Sequence, residues 1–261
     1  MLRLVDMVSG ELLAHDPDTG RTARRRVGSF AACVRPRRDG GLAMALRDSF
    51  ALLDPGAAEF RDLGPVWDDA SLRFNDGGCD PAGRFYCGSM ADEDGAGRGA
   101  LHRLDPDGSV SVVATGLTIP NGLVCAADGT VAYHIDSATR RIDVVELDPS
   151  TGGWGERRPF VSFEDGAGDP DGMCLDAEGG IWVAMWAGSA VRRYDPSGTL
   201  DAVVSVPVSF PTCPGFGGPD RDQLYVTSSR RDVPPGEEPE AGSLFRIDPG
   251  IAGAPVLPYA G

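Results

Sequence analysis

The sequence predicts an all-β protein, a six-bladed β-propeller that forms a single domain over residues 1–261. Turn motifs of the Asp-Pro-x-Gly type recur along the chain, and strand-length runs rich in Val, Ile and aromatic residues lie between them. The pattern repeats about every 45 residues, which is typical of propeller blades. The first blade is expected to lack its inner strand.

Turns and short strands alternate along the whole chain. The turn motifs are DPDTG at 16, DPAG at 80, DPDG at 105, DPSTG at 148 and DPSG at 195. The β-rich runs are 109–117, 141–149, 179–188, 200–208 and 223–229. Asp, Pro and Gly favour tight turns, whereas β-branched and aromatic residues favour strands. No segment has the apolar period of a long helix, so the pattern indicates a β repeat architecture.

A repeated sequence frame sets the period. In IPNGLVCAADGTVAY (119–133) and DPDGMCLDAEGGIWV (169–183), a polar residue follows a Pro, precedes a Gly and stands eight residues before a turn glycine. The equivalent positions are Ala32, Asn75, Asn121, Asp171 and, in the fifth repeat, about Pro214. Their spacings of 43, 46, 50 and about 43 residues match four-stranded blades whose first strands line a central channel.

The N-terminal region LRLVDMVSGELLAHDPDTG (2–20) fits the later strands of a blade. At the mean step, a sixth frame position would lie roughly ten residues before Met1. We therefore expect five inner strands and a first blade without one. An unpaired strand edge favours self-association, so the expected assembly is a monomer or a weak homo-oligomer.

Composition and charge exclude several functions. The chain has 24 Lys and Arg residues against 39 Asp and Glu, a net charge of -15, so no nucleic acid or membrane partner is expected. All of the basic residues are Arg, which excludes Schiff-base and phosphate-loop lysines. Asp6 interrupts the apolar core that a secretory leader needs, and no apolar run approaches the about 18 residues of a membrane span. We expect a cytoplasmic protein.

Three polar frame positions predict a cation site. Asn75, Asn121 and Asp171 belong to consecutive blades and are expected to face one channel. Amide and carboxylate oxygens are hard ligands suited to calcium, magnesium or manganese. The three His lie outside the frame and the six Cys form no CxxC pair, so an imidazole zinc site is not expected.

Five motifs resemble those of a known family. They are RFNDGGCDPAGRFYCGSMADE (73–93), PNGLVCAADGTVAYHIDS (120–137), PDGMCLDAEGGIWVAMWAG (170–188), FGGPDRDQLYVTS (216–228) and the final YAG (259–261). In this order they resemble the family of senescence marker protein (regucalcin), gluconolactonase and luciferin-regenerating enzyme, over nearly the whole chain. The resemblance implies a six-bladed propeller that holds one divalent cation and hydrolyses sugar lactones or related esters.

The resemblance also implies roles for individual residues. Asn121 and Asp171 look like metal ligands, with Asp171 also the catalytic base. Arg73 and Asn75 look like substrate-binding residues, with Asn75 also near the metal. Glu93 looks like a substrate-binding residue of a lid at the channel mouth. The implied cofactor is one divalent cation, calcium first, with zinc, magnesium or manganese as alternatives.

One ligand of the family pattern has no counterpart in this sequence. The family places a glutamate in a Gly-Glu-Gly-Pro-type motif on the first inner strand, a position that precedes Met1 in this numbering. The segment LGPVWDD (63–69) superficially resembles that motif, but it lacks the Glu and lies outside the inner-strand frame. Because cation affinity follows the number and charge of the ligands, we expect weakened binding.

The favoured hypothesis is cation-assisted lactone opening. The cation polarises the carbonyl, Asp171 orients or deprotonates the attacking water, and Arg73 binds oxygens of the sugar. Two alternatives stay open. The same site could act on an aryl ester or a phosphotriester, or the protein could be a non-catalytic propeller that binds calcium or another protein.

Overall fold

A computed structural model describes residues 1–93 and 95–261, which form six antiparallel sheets around a channel. The first sheet contains β1 (Leu2–Asp6), β2 (Glu11–Asp16) and β3 (Arg21–Arg26). The second contains β4 (Cys33–Pro36), β5 (Leu42–Ala45), β6 (Ser49–Leu53) and β7 (Arg61–Pro65). The third contains β8 (Leu72–Cys79), β9 (Phe85–Ala91), β10 (Gly99–Leu104) and β11 (Val110–Leu117).

The other three sheets follow in chain order. The fourth contains β12 (Pro120–Cys125), β13 (Val131–Asp136), β14 (Arg141–Leu147) and β15 (Trp154–Ser162). The fifth contains β16 (Asp169–Leu175), β17 (Ile181–Trp186), β18 (Ala190–Tyr194) and β19 (Leu200–Ser205). The sixth contains β20 (Pro211–Gly217), β21 (Gln223–Ser228) and β22 (Phe245–Ile247). The predicted six-bladed β-propeller is confirmed.

Helical structure is almost absent from the described residues. The 3-10 turn at Ser137–Thr139 follows β13 directly. No helix in the described part of the chain is long and apolar enough to cross a membrane.

The inner strands are β4, β8, β12, β16 and β20, and each contacts the inner strand of the neighbouring sheet. Asn75, Asn121 and Asp171 lie on β8, β12 and β16, while Ala32 directly precedes β4. The repeat frame therefore located all five inner strands.

The sheets at the two ends of the chain each have three strands in the described residues. In the first sheet β1 lies nearest the channel and contacts β4. Within the described residues this sheet has no strand that corresponds to the inner strands β4, β8, β12, β16 and β20, in line with the absence of a sixth frame position. A side-chain methyl of Leu2 lies against the backbone of Gly217 on β20, so β1 also meets the sixth sheet.

Apolar side chains between neighbouring sheets form the core. Five buried clusters fill the spaces from the first and second sheets through to the fifth and sixth. Between the second and third sheets, the ring of Phe50 packs 4.8 Å from that of Phe74 and 5.4 Å from that of Phe85. Full burial of one such side chain contributes about 1.5–3 kcal/mol. Within the described residues, the contact between the sixth and first sheets holds none of these clusters.

A C-terminal strap (residues 248–261) crosses one end of the channel. Its backbone N–H groups donate to the carbonyls of Leu175, Arg221, Pro36 and Gly83, in the fifth, sixth, second and third sheets. Leu175 and Pro36 end their inner strands, whereas the polar frame residues lie near the beginnings of theirs. The strap therefore lies at the end of the channel opposite the polar frame residues and joins sheets on both sides of the ring.

Buried aspartates hold two inner strands to their neighbours. Asp80 follows β8 and accepts a hydrogen bond from the Tyr86 hydroxyl at 3.0 Å. Asp176 follows β16 and accepts from Trp182 Nε1 at 3.0 Å and Arg193 Nε at 2.7 Å. Because buried charge is costly unless it is paired, these contacts fix the ends of both strands.

His134 on β13 is a buried, uncharged group. It is 1% exposed, and its ring lies 5.7 Å from that of Trp154. Burial and then the charge of Arg157 lower the pKa of His134 from 6.5 to about 3. In the unfolded chain a histidine binds a proton below about pH 6.5. The folded state therefore loses stability as the pH falls from that value towards 3.

We expect His134→Phe to unfold less readily in acid than the wild type. Between about pH 6.5 and 4.5 the free energy of unfolding of the variant should fall by about 2–3 kcal/mol less than that of the wild type, because one pKa unit corresponds to about 1.4 kcal/mol. Urea unfolding at both pH values measures the difference. His15→Gln, at a partly exposed histidine, serves as the control. Equal acid sensitivity of His134→Phe and the wild type would contradict this account.

Candidate active site in the channel

A β-bulge interrupts the inner strand near the same end of four consecutive sheets. In β16, Pro170 pairs with Met185 and Met173 pairs with Val183, so three steps along the inner strand match two along its partner. β8, β12 and β20 show the same one-residue excess. A bulge changes the direction of the side chains it carries. Each of these four inner strands thus turns one or two side chains away from regular alternation.

The bulges contain the polar frame residues. They hold Asn75 and Asp76 in β8, Asn121 in β12, Asp171 in β16 and Thr212 in β20. Asn75, Asn121 and Asp171 therefore occupy equivalent places on neighbouring strands.

In β20 the sequence frame is displaced by two residues. It predicted a position near Pro214, whereas the bulge lies at Thr212. The paired stretch between the bulge and the following turn is 213–217 in β20 but 173–175 in β16. Counting back from the turn therefore stops two residues short of the bulge.

Glycines after Asn121 and Asp171 let the inner strands approach each other. A Cβ on Gly122 would lie 2.9 Å from the backbone N of Met173, and one on Gly172 would lie 2.8 Å from the Thr212 carbonyl oxygen. Neither glycine has a positive φ. The glycines are thus required by a neighbouring strand and not by a turn.

A chain of hydrogen bonds joins three sheets across the channel wall. Arg73 Nη1 donates to Asn75 Oδ1 at 2.7 Å, and Asn75 Nδ2 donates to Asn121 Oδ1 at 2.8 Å. Asn121 Nδ2 donates to Ser137 Oγ at 2.8 Å. The Ser137 hydroxyl donates to the Pro170 carbonyl oxygen at 2.5 Å. Three of the predicted site residues are therefore in direct contact, and the chain ends beside the fourth, Asp171.

Two carboxylates share the channel. Burial, and then the charge of Asp76, raise the pKa of Asp171 well above its usual value, while the N–H of Gly172 acts in the opposite direction. Burial also raises the pKa of Asp76, although the charge of Arg35 opposes it. Negative charge is thus unfavourable here unless a cation offsets it.

Arg73 is held at the channel mouth. Its Nε lies 3.3 Å from Asp92 Oδ1, and its guanidinium carbon is 5.2 Å from the centre of the Phe30 ring. Arg47 binds the other oxygen of Asp92. Burial lowers the pKa of Arg73, but a guanidinium stays protonated. Arg73 thus presents a fixed set of charged donors.

Glu93 lies at the same end of the channel as Arg73. It comes two residues after β9, whose last residue Ala91 pairs with Leu72. Its side chain is exposed and takes no part in the hydrogen-bonded chain. The structure therefore brings together Arg73, Asn75 and Asn121 with the strand that carries Asp171, and it leaves Glu93 at the surface.

The segment LGPVWDD does not reach the channel. Its first residues, Leu63 to Pro65, end β7, the outermost strand of the second sheet. The Trp67 ring packs 4.7 Å from that of Phe74 in the core between the second and third sheets. The expectation that this segment lies outside the inner-strand frame is confirmed.

Sequence reasoning missed several polar groups at the site. Asp76 stands beside the frame residue Asn75 in RFNDG, so this motif contained a usable signal. Ser137 had none, because it belongs to the turn after the second strand of its blade. Thr212 was missed because β20 pairs over more residues before its turn, so the frame pointed to Pro214.

The donor chemistry of the channel fits a hard cation. The Asp171 carboxylate could hold it together with Asn121 Oδ1, which accepts from Asn75 Nδ2 with one lone pair and keeps the other. Asn75 Oδ1 instead faces Arg73. In the described part of the chain, no group of three or more His, Cys, Asp or Glu could hold a metal. Calcium accepts amide oxygens and waters besides carboxylates, and a cation here would offset the repulsion between Asp171 and Asp76.

Comparison with known proteins agrees with the propeller fold. The chain is 38% identical over 258 residues to pentonolactonase XacC of Haloferax volcanii, covering 96% of this chain and 87% of that protein. The structure of a luciferin-regenerating enzyme matches with a TM-score of 0.91 and 26% identity, over 99% of this chain and 91% of the other. A calcium-binding protein, regucalcin, from Agrobacterium tumefaciens matches with a TM-score of 0.90 and 29% identity, over 98% and 88%.

The family model described as the SMP-30/Gluconolactonase/LRE-like region matches residues 1–230. This match covers the inner strands β4, β8, β12, β16 and β20 and every residue of the hydrogen-bonded chain. The lactonases among these relatives suggest lactone hydrolysis as the class of reaction. The chain therefore belongs to the SMP-30/gluconolactonase/LRE-like family.

Proposed function

We propose that this protein is a divalent-cation-dependent hydrolase that opens sugar lactones. The observation that supports it most is the hydrogen-bonded chain from Arg73 through Asn75 to Asn121, which ends beside Asp171. It combines oxygen ligands, a carboxylate and a cationic donor in one channel. The similarity to a pentonolactonase favours lactones as substrates.

In this proposal each residue has a distinct role. Asp171 and Asn121 hold the cation, with Asn75 close to it. When bound, the cation polarises the lactone carbonyl and stabilises the negative charge that develops on its oxygen. Asp171 orients the water that attacks the carbonyl carbon and accepts its proton. The bond from that carbon to the ring oxygen then breaks, and the ring oxygen takes up the proton and leaves as a hydroxyl group. Arg73 donates to sugar oxygens and offsets the charge of the carboxylate product, and Glu93 contacts substrate at the mouth.

Calcium is the first candidate for the cation. The ligands are oxygens, and a relative of known structure is described as a calcium-binding protein. Magnesium, manganese and zinc are the alternatives, and magnesium and manganese share the preference for oxygen ligands.

The test is acid release from a pentonolactone and a gluconolactone, followed with a pH indicator. Removal of divalent cations with EDTA should lower the rate at least about tenfold, and one of the four cations should restore it. Equal rates before and after complete removal of the cation would contradict the proposed metal dependence. No hydrolysis of either lactone above the rate in buffer would contradict the lactonase assignment.

The same assay separates the alternative functions. A higher kcat/KM on an aryl acetate or a phosphotriester than on either lactone would favour the second hydrolase hypothesis. Stoichiometric calcium binding without turnover of any of these substrates would favour a non-catalytic calcium-binding propeller.

A further inference from the structure

We propose that Ser137 is a positioning residue that fixes the orientation of the Asn121 amide and so directs Asn121 Oδ1 towards the cation. This inference rests on the proposed function for the presence of the cation. The orientation of the amide itself rests only on the hydrogen bonds of this chain.

The Pro170 carbonyl sets the direction of the hydrogen bonds from one end. A carbonyl oxygen only accepts, so the Ser137 hydroxyl must donate to it, at 2.5 Å. A hydroxyl has a single hydrogen, and Ser137 Oγ can therefore only accept from Asn121. The group of Asn121 that faces Ser137 must be Nδ2, and its Oδ1 must face away.

Arg73 sets the same direction from the other end. A guanidinium only donates, so the group of Asn75 that faces Arg73 must be Oδ1. Asn75 Nδ2 then donates to Asn121 Oδ1 at 2.8 Å and to the Pro120 carbonyl at 2.9 Å. Both ends of the chain thus require the same orientation of both amides.

The turn that carries Ser137 is itself firmly held. The backbone N–H of Ser137 donates to the Ile119 carbonyl at 3.0 Å. The carboxylate of Asp136 accepts from the N–H groups of Thr118 and Ile119 at 3.0 and 2.8 Å. Ser137 is 7% exposed and Asn121 is 8% exposed, so little water competes with these bonds. The hydroxyl of Ser137 therefore has a defined place beside Asn121.

Ser137 also connects the two proposed cation ligands. It bonds to the side chain of Asn121 and to the carbonyl of Pro170, the residue before Asp171. In Ser137→Ala, Asn121 Nδ2 and the Pro170 carbonyl would both lose their partner. The Asn121 amide would then be held only by the hydrogen bond from Asn75 Nδ2 to its Oδ1, so it could turn away from the orientation that binds the cation. Loss of such supporting hydrogen bonds typically lowers metal affinity about 10–100-fold.

The first measurement is the affinity for Ca²⁺ and Mn²⁺ by titration calorimetry. Ser137→Ala should bind at least about tenfold more weakly than the wild type. Thr139→Val is the matched control, because the Thr139 hydroxyl lies in the same turn and donates to the Asp136 carbonyl at 2.7 Å. The control should keep wild-type affinity, and an equal loss in both variants would overturn the proposal.

A double-mutant cycle with Asn121→Asp tests the mechanism. A carboxylate has no amide hydrogens to orient, so Ser137→Ala should cost much less affinity in the Asn121→Asp background. The same fold-loss in both backgrounds would mean that Ser137 acts only through the backbone.

Side-chain amide exchange supplies a readout that needs no metal. In NMR spectra of the cation-free protein, the Nδ2 hydrogens of Asn121 should exchange faster in Ser137→Ala than in the wild type or Thr139→Val. Unchanged exchange overturns the role of Ser137. A wild-type protein that binds no divalent cation instead overturns the proposed function, so the two failures are distinguishable.

Discussion

Asp171→Asn should lower kcat/KM for lactone hydrolysis by about 10³-fold, since general-base catalysis contributes about 10²–10⁴-fold and the substitution also removes a charged cation ligand. The amide has nearly the same shape as the carboxylate, so the bulge in β16 should be kept. Initial rates on a pentonolactone at saturating cation measure the loss of the general base, and a calcium titration measures the loss of cation affinity.

Asp169→Asn is the matched control for this variant. Asp169 lies two residues earlier on the same strand, but its side chain is 55% exposed and faces Arg140 at 3.8 Å. Its replacement should leave the rate within about twofold, as for most surface changes. A rate above a tenth of wild type in Asp171→Asn would rule out Asp171 as the base.

The stability of Asp171→Asn provides an independent check. Burial and the nearby Asp76 make the charged form of Asp171 unfavourable in the cation-free protein. The neutral amide removes this repulsion, so the cation-free variant should unfold at a temperature no lower than that of the wild type. Added calcium should then raise the Tm of the wild type but not that of the variant.

Tyr259→Ala should strongly destabilise the fold. Tyr259 is fully buried in the cluster between the second and third sheets, and its hydroxyl donates to the Asp105 carbonyl at 2.9 Å. Truncation of a large buried aromatic side chain costs about 3–5 kcal/mol. For a protein of this size that corresponds to a fall in Tm of roughly 10 °C. Thermal unfolding followed by circular dichroism measures it.

Tyr259→Phe separates packing from hydrogen bonding. It keeps the ring and loses only the hydroxyl, so it should cost about 1 kcal/mol. Neither variant should change the KM for a lactone, because the strap lies at the opposite end of the channel from Arg73 and Asn75. A Tm of Tyr259→Ala within about 2 °C of wild type would contradict a stabilising role for the strap.

The repeat pattern predicted the inner strands because each blade is a local unit. Turn glycines and strand runs recur at nearly constant spacing, so counting residues located Asn75, Asn121 and Asp171 on equivalent strands. The count failed at Pro214, since β20 pairs over two more residues before its turn and the bulge falls at Thr212. Spacing along the chain locates a strand more reliably than it locates a bulge within it.

The amino-acid sequence alone therefore establishes the number of blades, the strands that line the channel and the chemical types of the groups that face it. It does not establish the direction in which each polar group points. That direction depends on bulges, on glycines that admit a neighbouring strand, and on partners such as Ser137 and Pro170, which are 33 residues apart in the chain. Only packing of separate blades brings such groups within hydrogen-bond distance, so the orientation of Asn121 beside Asp171 is a property of the assembled ring.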